Sequence, residues 1–227
     1  MNAPWWAGPA SVTLFRAVWP TRVSGADLVP TTGPIIYASN HTGFLDGPLL
    51  AGVAPRWPHC LVKREMFHGP IGALLRSTGQ IPVQRGTGDR QALSRALAVL
   101  ADGEAVGIFP EGSRGRGDLV AMRRGVAWLA LRAGAPVIPV ACLGTRRTGE
   151  ATDHLPTPLR RLDVVFGRPL HLAPRPGAPG RIALAEATAT LQKVLAAHVA
   201  SAAERTGQPL PRDLGRSAEQ IARGERQ

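Results

Sequence analysis

Aromatic side chains are scarce in this chain: they make up 5% of its 227 residues, with a single tyrosine, Tyr37. Three of the five tryptophans, Trp5, Trp6 and Trp19, crowd near the start. A surface that binds nucleic acid by base stacking interleaves aromatics with cations, and no such pattern or recognition-module signature is present, so no nucleic-acid partner is expected. Only two cysteines occur, Cys60 and Cys142, with no CxxC and no His/Cys cluster. They read as reduced core residues, and no metal site is expected. No window approaches the ~20 apolar residues of a spanning helix. Arg16 interrupts the N-terminal apolar stretch where a secretory signal needs its apolar centre. The expected location is therefore the cytoplasm or the cytoplasmic face of the cell membrane, held peripherally.

Acidic charge is also in short supply, and this shapes the partner class. Sixteen Asp and Glu face 27 Lys and Arg, for a formal net charge of +11 and a pI near 11.4. All but two of the cations are arginine, the exceptions being Lys63 and Lys193. A field of this sign draws polyanions: nucleic acid, anionic headgroups or phosphorylated small molecules. The 44% hydrophobic content excludes a disordered polar chain, and the length suits one domain with a substantial core.

Residues 1–22 read as a separate N-terminal amphipathic helix. Leu14 and Val18, and likewise Phe15 and Trp19, share a face at i, i+4, flanked by Arg16 and Arg22. Such a helix suits a bilayer surface or packing on its own domain equally well. From residue 33, short apolar runs alternate with helical periodicities. Strands are expected at Ile35–Ser39, Cys60–Lys63, Gln80–Gln84, Ala105–Phe109, Pro136–Cys142 and Leu162–Phe166. Helices are expected at Leu49–Ala54, Ile71–Ser77, Arg90–Ala101 and Val126–Ala133, with a long closing helix over Ile182–Ala203. This alternation implies an α/β fold, a layered single domain over residues 23–204 with a largely parallel central sheet flanked by helices. Residues 205–227, polar and basic, read as a loose tail.

Four constellations follow predicted strands, where ligand sites of open α/β sheets gather. In the first, His41 and Asp46 stand five residues apart across a strand-to-helix turn. The carboxylate can meet one imidazole nitrogen, leaving the other to take a proton from a hydroxyl. An Asx cap beside a turn histidine has the same spacing. The second is Phe109-Pro110-Glu111-Gly112-Ser113-Arg114-Gly115, in which glycines admit a ligand and Arg114 can fork onto phosphate. The third puts Arg85 at a strand end, within Gly79-Gln80-Ile81-Pro82-Val83-Gln84-Arg85. The fourth, Val137-Ile138-Pro139-Val140, offers an apolar wall.

In this order, His-x4-Asp, Gly-x-Ile-x-Val-x-Arg, Phe-Pro-Glu-Gly-Ser-Arg and Val-Ile-Pro-Val resemble the four-block signature of the glycerolipid and lysophospholipid acyltransferases. The likeness runs from about residue 33 to about residue 170 and includes Leu61–Phe67 and Arg124–Ala127. It implies His41 as general base and Asp46 as its orienting partner. It implies Arg85, Arg114 and Lys63 on the acceptor phosphate, Glu111 and Gly112 around the glycerol, and Val137, Ile138, Pro139 and Val140 shaping an acyl channel. It further implies direct transfer from acyl-CoA or acyl carrier protein to the free hydroxyl of lysophosphatidic acid, giving phosphatidic acid at a membrane lipid surface. No cofactor, metal or acyl-enzyme is implied.

The chain departs from the pattern at Gly43, where serine is common, at Ser113 for threonine, and at Met122-Arg123 for Phe-Lys. Another lysophospholipid or lipid-linked acceptor is the alternative within this class. Outside it stand a lipid-binding protein without catalysis, a nucleic-acid-binding protein, and a hydrolase using Ser113. The last lacks the Gly-x-Ser-x-Gly elbow.

Overall fold

The computed structural model describes residues 18–84, 89–173, 177 and 179–216. In chain order the elements are β1 (Thr21–Ser24), β2 (Ile35–Ser39), α1 (Asp46–Val53), β3 (Pro58–Lys63), α2 (Gly69–Ser77) and β4 (Ile81–Val83). There follow α3 (Arg90–Ala101), β5 (Ala105–Ile108), α4 (Gly125–Ala133), β6 (Val137–Leu143), β7 (Leu162–Phe166) and α5 (Gly180–Thr206). Every expected strand and helix from residue 33 onward has its counterpart here. The seven strands form one sheet in the order β1-β7-β6-β2-β5-β3-β4. Strands β6, β2, β5, β3 and β4 run parallel; β7 pairs antiparallel with β6 and parallel with β1.

Both faces of this sheet are covered, which is why its strands read as unbroken apolar runs. Side chains alternate between the faces with period two. Along β2, Ile36 and Ala38 join the core under α3, α4 and α5, while Ile35 and Tyr37 join the core under α1. Helix α5 seats on its face with Ala183, Ala187, Leu191, Leu195 and Val199, one buried residue per turn. Small residues in that stripe let the helix approach the sheet closely.

Two boundaries differ from the sequence expectation. Thr21 and Arg22, read as the end of the N-terminal helix, open strand β1 and pair with Leu162 and Asp163 of β7. β-Branched Thr21 and Val23 alternate with Arg22 and Ser24, a pattern that suits a half-buried edge strand. Trp19 of the same expected helix donates to the Pro156 carbonyl at 3.0 Å, and residues 1–17 lie outside the described residues. At the other end, residues 205–216 are not a loose tail. Helix α5 continues to Thr206, Gly207 takes the left-handed conformation (φ 65°) that closes it, and the Gln208 amide donates to the Ala203 carbonyl at 3.0 Å. Asp213 then pairs with the buried guanidinium of Arg146 at 2.7 Å. The polar composition hid this, because the anchors lie far upstream in sequence, the Arg146 partner of Asp213 by 67 positions.

The parallel strands bring their carboxyl ends to one edge. The loops after β2, β3, β5 and β6 meet there, and with them His41, Lys63, Glu111 and Thr145.

Candidate active site

His41 and Asp46 meet at this edge. His41 Nδ1 lies 2.9 Å from Asp46 Oδ2. The turn between them closes because the same carboxylate oxygen accepts the backbone amides of Thr42, at 2.6 Å, and Gly43, at 2.9 Å. The Thr145 hydroxyl donates to the other oxygen, Oδ1. Asp46 is fully buried, so these protein donors stand in for water around its carboxylate. A carboxylate anion can only accept, so Nδ1 carries the imidazole proton and Nε2 keeps its lone pair. The ring lies against Phe109, centroids 4.4 Å apart.

The loop that holds His41 is itself held from β6 and from the loop after β5. The Asn40 side chain extends the β2–β6 ladder, its amide donating to the Cys142 carbonyl at 3.0 Å and its oxygen accepting the Cys142 amide at 2.8 Å. Glu111, from the loop after β5, accepts the His41 amide at 2.8 Å. The His41 carbonyl in turn accepts the Gly115 amide at 2.9 Å. Gly117, at φ 71°, packs where a Cβ would lie 2.5 Å from the Thr42 methyl. Gly117 thus lets the loop after β5 pack closely on the Thr42 and Asn40 side chains. Burial is the main force pushing the Glu111 carboxyl up to about 7, with the charges of Asp118 and Asp46 adding to it against the His41 amide bond.

Beside His41 opens a cavity of about 460 Å³ between β3, β4, β5, α3 and α4. Its wall is apolar, with Leu61, Val83, Leu93, Ile108 and Met122, and its cations are Lys63, Arg123 and Arg124. His41 and Gly112 line it too. Of the residues picked from sequence, His41, Asp46, Lys63, Glu111 and Gly112 are therefore brought together. Glu111 turns its carboxylate to the His41 backbone rather than into the cavity. Arg114 lies over Phe44, 5.2 Å from the ring centre, and donates to the Thr152 carbonyl at 3.4 Å; it is not part of the cavity wall. Arg85 lies outside the described residues. Val137, Ile138, Pro139 and Val140 sit within β6, on the far side of β2 from the cavity. They alternate between the two cores and line no part of the cavity. Ser113 is exposed, and among the described residues no hydrogen bond joins it to His41.

Sequence reasoning missed Thr145, Arg146 and Arg123. Thr145 stands just past the end of β6, the position that marks site residues in such sheets, so its place after the fourth block was a usable signal. Arg146 carries none: its meaning lies in the contacts its buried guanidinium makes with the Asp213 carboxylate, the Gly115 carbonyl at 3.0 Å and the Glu150 carbonyl at 3.1 Å. These tie the C-terminal segment to the loop that carries Glu111 and Arg114. Among the described residues no cluster of His, Cys, Asp and Glu could hold a metal ion, and no helix is long and apolar enough to cross a membrane.

Comparison with known proteins matches residues 20–143 to the acyltransferase family. The 1-acyl-sn-glycerol-3-phosphate acyltransferase of Bacillus subtilis is 29% identical over 174 residues, covering 76% of this chain and 84% of that one. The lyso-ornithine lipid O-acyltransferase of Pseudomonas aeruginosa is 33% identical over 155 residues, covering 67% and 57%. Human 1-acyl-sn-glycerol-3-phosphate acyltransferase beta is 36% identical over 117 residues, of which this chain spans only 40%. The crystal structure of the 1-acyl-sn-glycerophosphate acyltransferase of Thermotoga maritima shares the fold, with a TM-score of 0.66 at 21% identity over 86% of this chain and 76% of that one. With the matched segment covering more than half of its residues, this chain belongs to the acyltransferase family and is an O-acyltransferase.

Proposed function

We propose that the protein acylates lysophosphatidic acid to phosphatidic acid at a membrane surface, with His41 as the general base. The observation that carries this reading is the His41–Asp46 contact at 2.9 Å on the rim of a cavity that is apolar along its wall and cationic at Lys63, Arg123 and Arg124. Such a cavity suits a molecule with a hydrocarbon chain and a phosphate. In this reading the phosphate meets Lys63 and Arg123 of the cavity, with Arg85 of the third block as a further cation, whereas Arg114 would have to leave Phe44 to reach it.

In the proposed reaction the acceptor hydroxyl donates its proton to His41 Nε2 as its oxygen attacks the thioester carbonyl of acyl-CoA or acyl carrier protein. Asp46 holds the imidazolium that forms. The tetrahedral oxyanion collapses, the C–S bond breaks, and the imidazolium returns its proton to the departing thiolate. Glu111 supports the base through its backbone. The peripheral membrane association assigned here follows from a lipid acceptor and from the +11 net charge.

The test offers the purified chain labelled acyl-CoA or acyl carrier protein with lysophosphatidic acid and a panel of other lysophospholipids and lyso-ornithine lipid, reading products by mass. Phosphatidic acid as the main product is expected. A different diacyl product reassigns the acceptor, and no product from any pair overturns the reading.

A further inference from the structure

Helix α2 (Gly69–Ser77) is built to lie on the molecule with its apolar side outward. Its sequence, Gly-Pro-Ile-Gly-Ala-Leu-Leu-Arg-Ser, contains no acidic residue. Among the described residues it contributes no side chain to either hydrophobic core. Its one buried residue is Gly72, where a Cβ would come within 2.2 Å of the Phe67 carbonyl carbon in the turn that leads into the helix. The buried position of the helix thus carries no side chain, Leu75 is half-buried, and Ile71 and Leu74 point away. Ile71 and Leu74, three residues apart and so on one helical face, are 54% and 53% exposed. Pro70 and Ala73 are exposed beside them. Among the described residues, the other large exposed apolar side chains are Val120, Leu155, Leu159 and Leu214 in loops and Ile182 in the first turn of α5; Ile71 and Leu74 share a helical face.

Cations rim this face. Lys63, Arg64 and Arg76 are exposed, and the Arg76 guanidinium is held beside the helix by the Phe67 carbonyl at 2.7 Å. The single acid in the stretch from Lys63 to Ser77 is Glu65, 3.8 Å from Lys63. Lys63 also lines the cavity next to His41, so the face and the cavity share an edge.

We propose that Ile71 and Leu74 of α2 insert into the headgroup boundary of an anionic lipid bilayer, with Arg64 and Arg76 on its phosphates, and so set the cavity against the lipid surface. Charge selects this occupant. A second copy of the chain would bring two basic rims together, whereas an anionic bilayer offers apolar depth and opposite charge at once. The proposal rests on the reading that the acceptor is a lipid, and it requires no contribution from residues 1–17.

The test uses the full chain, its Ile71→Ser/Leu74→Ser and Arg64→Gln/Arg76→Gln variants, and vesicles of phosphatidylcholine with phosphatidylglycerol. Partition is read by sedimentation at low and high salt. Turnover is read in parallel on vesicle-borne lysophosphatidic acid and on a short-chain acceptor dispersed as monomers. The apolar variant should lose about tenfold or more of its partition, while turnover of the dispersed acceptor and the melting temperature stay those of the wild type. The arginine variant should lose about fivefold per residue at low salt and little at high salt. Wild-type partition by the apolar variant overturns the proposal. So does a dimer that this variant converts to monomer, which assigns the face to a second copy. A lowered melting temperature also overturns it, by showing the face covered within the chain. Wild-type failure to turn over the dispersed acceptor strikes instead at the proposed reaction and leaves the partition result standing.

Discussion

Replacing Thr145 with valine keeps the side chain's branching and volume and deletes one hydroxyl. That hydroxyl donates to Asp46 Oδ1, while the His41 ring and two backbone amides all address Oδ2. The variant leaves Oδ1 of a fully buried carboxylate without this donor and removes the partner of the Thr42 hydroxyl at 3.0 Å. A hydrogen bond to a charged group contributes about 1.5–3 kcal/mol. Asp46 must stay oriented and negative while His41 becomes an imidazolium, so much of that loss falls on the transition state. Felt in full, it lowers kcat/KM by roughly 10- to 150-fold. Acyl transfer measured for wild type, Thr145→Val and Thr145→Ser checks this, with urea melts in parallel to confirm the fold. Serine restores the donor and should recover most of the rate. A folded valine variant whose kcat/KM lies within about twofold of wild type would refute the claim that Thr145 supports the pair.

Glu111, whose carboxyl is pushed up to about 7 by burial, binds its proton more tightly folded than unfolded. Its ionisation therefore opposes folding, and stability falls as pH rises from the ordinary glutamate range towards about 7. Glu111→Gln keeps an acceptor for the His41 amide and carries no charge, so its stability relative to wild type should improve from pH 5 to pH 8 in urea melts; a constant difference would contradict the burial argument. Both cysteines are buried, which pushes the Cys60 thiol up to about 12 and the Cys142 thiol up further. Thiol reagents at neutral pH should leave both unmodified until the chain is unfolded, as read by mass.

The fold from residue 33 onward was legible because the strands β2, β5, β6 and β7 are buried on both faces, and each strand announces itself as a short apolar run between periodic helices. β1 was not, since four residues at a sheet edge, three of them polar, lie below what periodicity resolves. His41 and Asp46 were legible because their contact is local, across one turn. Glu111 was singled out in sequence, but spacing cannot say that its carboxylate faces the His41 amide 70 positions away. The apolar fourth block suggested a channel wall, yet any strand covered on both faces reads the same way, and β6 is such a strand. Thr145 and Arg146 act through partners 99 and 67 residues distant, pairings that only the folded chain reveals.

The most direct test of the account compares acyl transfer by wild type, His41→Ala and Asp46→Asn, with labelled acyl-CoA or acyl carrier protein and lysophosphatidic acid, after circular dichroism has shown all three folded. If His41 is the base held by Asp46, His41→Ala forms no product above the uncatalysed background and Asp46→Asn is severely slowed. Near-normal turnover by folded His41→Ala would contradict the account.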